Sequence, residues 1–96
     1  MPDERIYYII VYDIADNKRR SRLAQRLENY GPRVQESVFE AHLTQVLRER
    51  MKNDIMAVVI PETDSVRIYE LCGQCWRKTQ TIGGMPPPGD ERWLLI

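Results

Sequence analysis

The first strongly apolar segment runs from Ile6 to Tyr12 and is continuous, β-branched and aromatic. Without polar alternation, such a run predicts a central strand covered on both faces. It closes at Asp13. Asp16-Asn17 then offers an N-cap, and Leu23, Ala24, Leu27 and Tyr30 recur at helical spacing, predicting a helix to about Tyr30. Gly31-Pro32 stops it, since glycine can take the left-handed conformation and proline cannot continue a helix. Val34 to Ala41 reads as a second strand, carrying Val34, Val38 and Phe39.

The next segment has two competing periods. Met56-Ala57-Val58-Val59-Ile60 has the composition of a strand, yet Leu47, Met51, Ile55 and Val58/Val59 recur every three or four positions over a charged remainder. The longer pattern predicts one helix from about Thr44 to Val59, ended by Pro61. Asp64-Ser65 turns the chain into a third strand, Ser65 to Leu71, with Val66 and Ile68 on one face. Lys78 to Ile82 is predicted as a fourth strand. Beyond the linker Gly83-Gly84-Met85-Pro86-Pro87-Pro88-Gly89, Arg92 to Leu95 is a short fifth. The elements as read run β-α-β-α-β-β-β and are assigned to an α+β, ferredoxin-like β-α-β-β-α-β sandwich with an extra C-terminal strand, an antiparallel sheet and helices on one face. Residues 1–82 form the domain, and 83–96 the linker and last strand. Many functions share this architecture, so function has to be argued from sites.

Composition narrows the classes. At 96 residues the chain is one small domain, for which extra burial by dimerisation would be useful. No apolar run approaches the roughly 20 residues that span a bilayer. Met1-Pro2-Asp3-Glu4-Arg5 does not have the basic and apolar regions of a signal peptide. A cytoplasmic protein without a membrane partner is expected. Two cysteines do not make a disulfide framework. The formal net charge is zero, against simple electrostatic coating of nucleic acid, so any such site must come from local clustering.

Asp13 asks for an explanation, because a carboxylate closing an apolar strand is costly to bury unpaired. One reading is a turn or helix-capping aspartate. The other is a metal ligand: magnesium favours carboxylate oxygens and keeps several waters, so two such aspartates across a dimer axis would suffice. Arg20 lies on the helical face of Leu23, Ala24 and Leu27, where an arginine usually snorkels or pairs locally, but its fork of donors could also hold a phosphate. Lys18, Arg19, Arg22 and Arg26 flank it, as either a solvated basic face or a track for a phosphate backbone. Cys72-Gly73-Gln74-Cys75 has metal or redox spacing. There is no second CxxC, His42 is the lone histidine, and Trp76-Arg77-Lys78-Thr79 does not read as an apolar helix, so buried or partly buried thiols are the expectation. No GxSxG, P-loop, HExxH or dinucleotide fingerprint occurs.

Taken together, Tyr12-Asp13-Ile14 with Asp16, Arg19-Arg20, Tyr30-Gly31, Arg33-Val34-Gln35, Ser37-Val38-Phe39-Glu40 and Asp64-Ser65-Val66-Arg67-Ile68-Tyr69 resemble the CRISPR-associated protein 2 family. Each piece is weak alone; the series, in order over the whole chain, is specific. The resemblance implies a homodimer whose sheets face each other and whose last strand crosses to the partner. It implies Asp13 from both protomers as the catalytic and metal-binding carboxylates, for Mg²⁺ or Mn²⁺. Arg19, Arg20, Arg22, Arg26 and Arg33 would meet nucleic acid or phosphate, with Tyr12, Ser37 and Phe39 in support. The implied activity is endonucleolytic cleavage of RNA or DNA during CRISPR spacer acquisition, with the CRISPR integrase subunit as partner. Two alternatives stand beside it: a non-catalytic DNA-binding scaffold bridging integrase dimers, and a toxin-like ribonuclease of the same fold.

Overall fold

A computed structural model describes residues 4–80, 82 and 83. The elements are β1 (Ile6–Asp13), α1 (Asn17–Leu27), β2 (Arg33–Gln35), β3 (Val38–Leu43), α2 (Gln45–Val58), β4 (Ser65–Leu71) and a short α3 (Gly73–Arg77). The strands form one sheet in the order β2-β3-β1-β4, with every pairing antiparallel. This is the expected ferredoxin-like α+β architecture.

The core lies between the sheet and α1 and α2. Tyr8, Ile10 and Tyr12 of β1 and Phe39, Ala41 and Leu43 of β3 face Leu23, Ala24 and Leu27 of α1 and Met51, Ile55 and Val58 of α2. Strand alternation sends Tyr7, Ile9, Val11 and Asp13 to the other side, where Tyr7, Ile9 and Val11 are half-buried and Asp13 is exposed. β1 is therefore sealed on one face and partly open on the other, rather than covered on both. The helix predicted from the three- and four-residue spacing of Leu47, Met51 and Ile55 is α2, N-capped by Thr44, whose Oγ1 accepts from the Leu47 N–H at 3.3 Å. In β4, Val66 and Ile68 share the helix-facing side, opposite Tyr12 and Ile10.

Four further expectations need correction. The helix expected to reach Tyr30 ends at Leu27, with residues 28–30 in a turn. Gly31 does not supply a left-handed residue, since Gly83 is the one described glycine with positive φ. Gly31 instead allows close approach: a Cβ there would lie 1.9 Å from the Glu40 carbonyl oxygen. The second strand divides into β2 and β3 at the turn Glu36-Ser37, because Arg33 and Glu36 close a tight corner. Lys78 to Ile82 has no strand among its described residues; the segment before it is α3, N-capped by Cys72. Residues 84–96, with the expected linker beyond Gly83 and the expected fifth strand, lie outside the described residues.

Candidate functional site

Asp13 stands at the end of β1 on the open face of the sheet, in register with Ser65 of β4. No hydrogen bond or ion pair engages its carboxylate among the described residues. The neighbouring acids are differently placed. Asp16 caps α1 by accepting from the Arg19 N–H at 2.9 Å, which holds its carboxyl below the usual range. Asp64 is fully enclosed. It accepts from Arg19 Nε at 3.1 Å and Nη2 at 3.0 Å, and from the N–H groups of Ala15 at 3.1 Å and Ile60 at 3.0 Å. The Arg19 guanidinium first, then these backbone donors, hold the Asp64 carboxyl well below the usual carboxylate range.

Two hydrogen-bonded loops fix the backbone around Asp13. On one side, the Tyr12 N–H donates to the Ser37 carbonyl at 3.1 Å and the Tyr12 hydroxyl donates to the Glu36 carbonyl at 3.2 Å. Arg33 Nε and Nη2 donate to that same Glu36 oxygen at 3.0 and 2.6 Å. The Tyr12 ring packs on Phe39 with centroids 6.2 Å apart, and burial pushes its phenol pKa up, so it stays neutral. On the other side, Arg20 Nε and Nη2 donate to the Ile14 carbonyl at 3.2 and 2.8 Å, and Arg20 Nη1 donates to Asn17 Oδ1 at 2.6 Å. A buried or half-buried donor thus anchors each residue next to Asp13, while Asp13 itself faces solvent.

The predicted residues separate accordingly. Tyr12, Arg20, Arg33, Ser37 and Phe39 gather around the end of β1 as positioning groups. Arg19 is held by Asp64 instead of facing a ligand. Arg26 Nη1 binds Asp54 of α2 at 2.9 Å, and Tyr30 Oη donates to the other Asp54 oxygen. Burial first, then Asp54, pushes the Tyr30 hydroxyl up to about 12. Arg22 remains outward, with Lys18, Asn17, Ser21 and Gln25, along a shallow groove on α1.

Sequence reading missed Asp64 and Arg67. Arg19 and Asp64 are 45 positions apart, so no local spacing reveals their pairing. Arg67 pairs with Val11, so alternation puts it on Asp13's face of the sheet, one diagonal away. Strand periodicity from Ser65 could have found it. Among the described residues no group of three or more His, Cys, Asp or Glu could hold a metal. A hard divalent cation fits Asp13 only if further oxygens come from water, substrate phosphate or a second copy of the chain.

The fold and this end of β1 define a small ferredoxin-like protein presenting a single free carboxylate on a rigid strand end. Residues 6–79 match the family described as CRISPR associated protein Cas2. The CRISPR-associated endoribonuclease Cas2 4 of Rhodospirillum rubrum is 38% identical over 90 residues, which cover 93% of this chain and 73% of the relative. The crystal structure of a hypothetical protein from Thermus thermophilus superposes with a TM-score of 0.76 at 36% identity, covering 86% of this chain and 98% of that one. A chain of a partial Cas6-RT-Cas1–Cas2 complex superposes with a TM-score of 0.68 at 30% identity, covering 88% and 98%. The chain belongs to the Cas2 family. No described helix is long and apolar enough to cross a membrane.

Proposed function

We propose that the chain is a homodimeric endonuclease of CRISPR adaptation that hydrolyses phosphodiester bonds in RNA or DNA, with Asp13 of both protomers holding Mg²⁺ or Mn²⁺. The carrying observation is the Asp13 carboxylate: exposed, without a partner among the described residues, and set on a backbone locked by Tyr12, Arg20 and Asp64. Relatives named endoribonucleases support the reaction class. The open face supports the dimer. It carries half-buried Ile9, Val11 and Val38, with Tyr69 46% exposed. Sheets meeting there would bring the two Asp13 residues toward one axis.

Each Asp13 would supply one carboxylate, and the bonds around Ile14, Ala15 and Ser37 keep both strand ends from moving when charge builds up. A bound divalent cation supplies an activated water and stabilisation for the charge developing on the phosphate. Arg67, on the same face, is the nearest cation by register to steady a phosphate oxygen. Asp13→Asn should lower metal-dependent cleavage about 100-fold or more, the scale seen when even a partner of a metal ligand is lost. The dimer should stay folded by circular dichroism and gel filtration. Cleavage at the wild-type rate would remove Asp13 from the reaction.

A second reading is a scaffold without its own chemistry, joining integrase subunits and DNA. Two observations favour it: the solved relative sits in an assembly with Cas1, and Lys18 and Arg22 line an outward groove on α1 that does not include Asp13. Spacer integration by the reconstituted complex separates the readings. If Asp13→Asn abolishes cleavage and leaves integration intact, the scaffold is the adaptive function.

A further inference from the structure

At the far end of β1 from Asp13, about 20 Å along the strand, Tyr7 holds a second arrangement. Its ring stacks on His42 with centroids 3.8 Å apart and on Trp76 with centroids 4.0 Å apart, both nearly parallel. Rings that close need opposite faces of Tyr7, so the three form one stack. Trp76 is buried and fixes α3 to the sheet. Immediately before and within α3 stand the chain's two cysteines. Cys72 Sγ accepts from the Cys75 N–H at 3.3 Å, the two sulfurs are 3.1 Å apart, and both residues are exposed. The expectation of buried or partly buried thiols is therefore overturned.

This geometry suits a disulfide. The sulfurs need to close by only about 1 Å, which side-chain rotation supplies, while the turn already holds the backbone in place. It does not suit a structural metal. Zinc takes four protein ligands, and among the described residues no third His, Cys, Asp or Glu joins the pair.

We propose that Cys72 and Cys75 are a reversible modification site, a dithiol oxidised to an intramolecular disulfide by small-molecule disulfides of the glutathione type. The Cys72 thiolate attacks one sulfur of the oxidant, whose S–S bond breaks to release one thiolate. The Cys75 thiolate then attacks Cys72 Sγ, breaks the mixed disulfide and releases the second thiol. Two electrons pass from the cysteines to the oxidant, and the two cysteine protons end on the released thiols. Cys72 leads because the Cys75 thiol, then the Cys75 N–H, lower its pKa, whereas Cys75 is raised by its neighbour. Closing the ring pins the first turn of α3 and so the place where the chain leaves the sheet.

The full chain, reduced and then treated with excess oxidised glutathione, tests this by intact mass and alkylation. Wild type should lose two hydrogens, carry no adduct, lose both alkylatable thiols and recover them on reduction. Cys75→Ser should instead accumulate one glutathione adduct at Cys72. Hydrogen exchange should slow at the Trp76, Lys78 and Thr79 amides, which donate within this turn. Two persistent free thiols, stable adducts on wild type, or disulfides between chains would overturn the site. Unchanged exchange in the oxidised protein would overturn its effect on α3.

Discussion

Asp64 joins three segments through one carboxylate. It ties α1 through Arg19, the β1–α1 loop through the Ala15 N–H, and the α2–β4 loop through the Ile60 N–H. Removing one partner of such a pair leaves an uncompensated group in the interior, so Asp64→Asn should lower the Tm by roughly 10 °C or more at neutral pH. The pH sign follows from the depressed carboxyl. Between its ordinary value of 3.8 and the lower folded value, the unfolded chain binds more protons than the native one. This contribution is present above that ordinary value and is lost as pH falls below it toward the folded value. Wild-type stability should therefore drop steeply below about pH 4, and Asp64→Asn should flatten the drop. Equal slopes for both proteins in acid denaturation would show that Asp64 does not govern it. Asp13 was legible from the sequence because a carboxylate ending an apolar strand stands out locally. Asp64 was not, since its meaning depends on an arginine reached only through the fold.

At the scale of elements, α1 presents two cationic faces with different duties. Arg19 and Arg26 face Asp64 and Asp54 and bind the helix to the rest of the molecule, whereas Lys18 and Arg22 border the outer groove. The basic cluster read as one track is thus divided, and charge counts alone could not divide it. Neutralising Lys18 and Arg22 should weaken binding to DNA of any sequence and reduce the log–log salt slope by up to about 2, with unchanged Tm. Neutralising Arg19 should instead lower stability. A salt slope untouched by the Lys18/Arg22 pair would move the nucleic-acid surface elsewhere. Helices and long strands were readable because their periods repeat over many residues, as Leu47, Met51 and Ile55 show for α2. The corner at Glu36-Ser37 and the short α3 were not, because each depends on single contacts: Arg33 on a carbonyl, Trp76 on Tyr7. Gly31 belongs to this class, its role set by the Glu40 carbonyl across the β2–β3 corner.

For the whole molecule, two surfaces stand unsatisfied among the described residues: the open sheet face and, at β4, the longer of the two sheet edges. Among the described residues β4 pairs only with β1, so its outer backbone groups are available to another strand. Beside that edge runs an apolar groove between α2 and β4, with Met56 72% and Ile68 36% exposed. Trp93-Leu94-Leu95-Ile96 has the complementary composition and follows a Gly/Pro segment. Residues 84–91 could span at most roughly 26 Å when extended, enough to reach beyond one sheet edge. At about 25 cal/mol per Å² of apolar surface, covering this groove with the four side chains would stabilise the assembly by several kcal/mol. The expected outcome is that the tail completes the proposed dimer by adding to the β4 edge of the partner protomer. Deleting residues 92–96 should shift the protein toward monomer or aggregate in analytical ultracentrifugation at low micromolar concentration, and lower its Tm. Met56→Lys, which charges the groove and spares the tail, should act in the same direction. If the truncated chain stays dimeric with unchanged Tm, the open sheet face alone holds the protomers together.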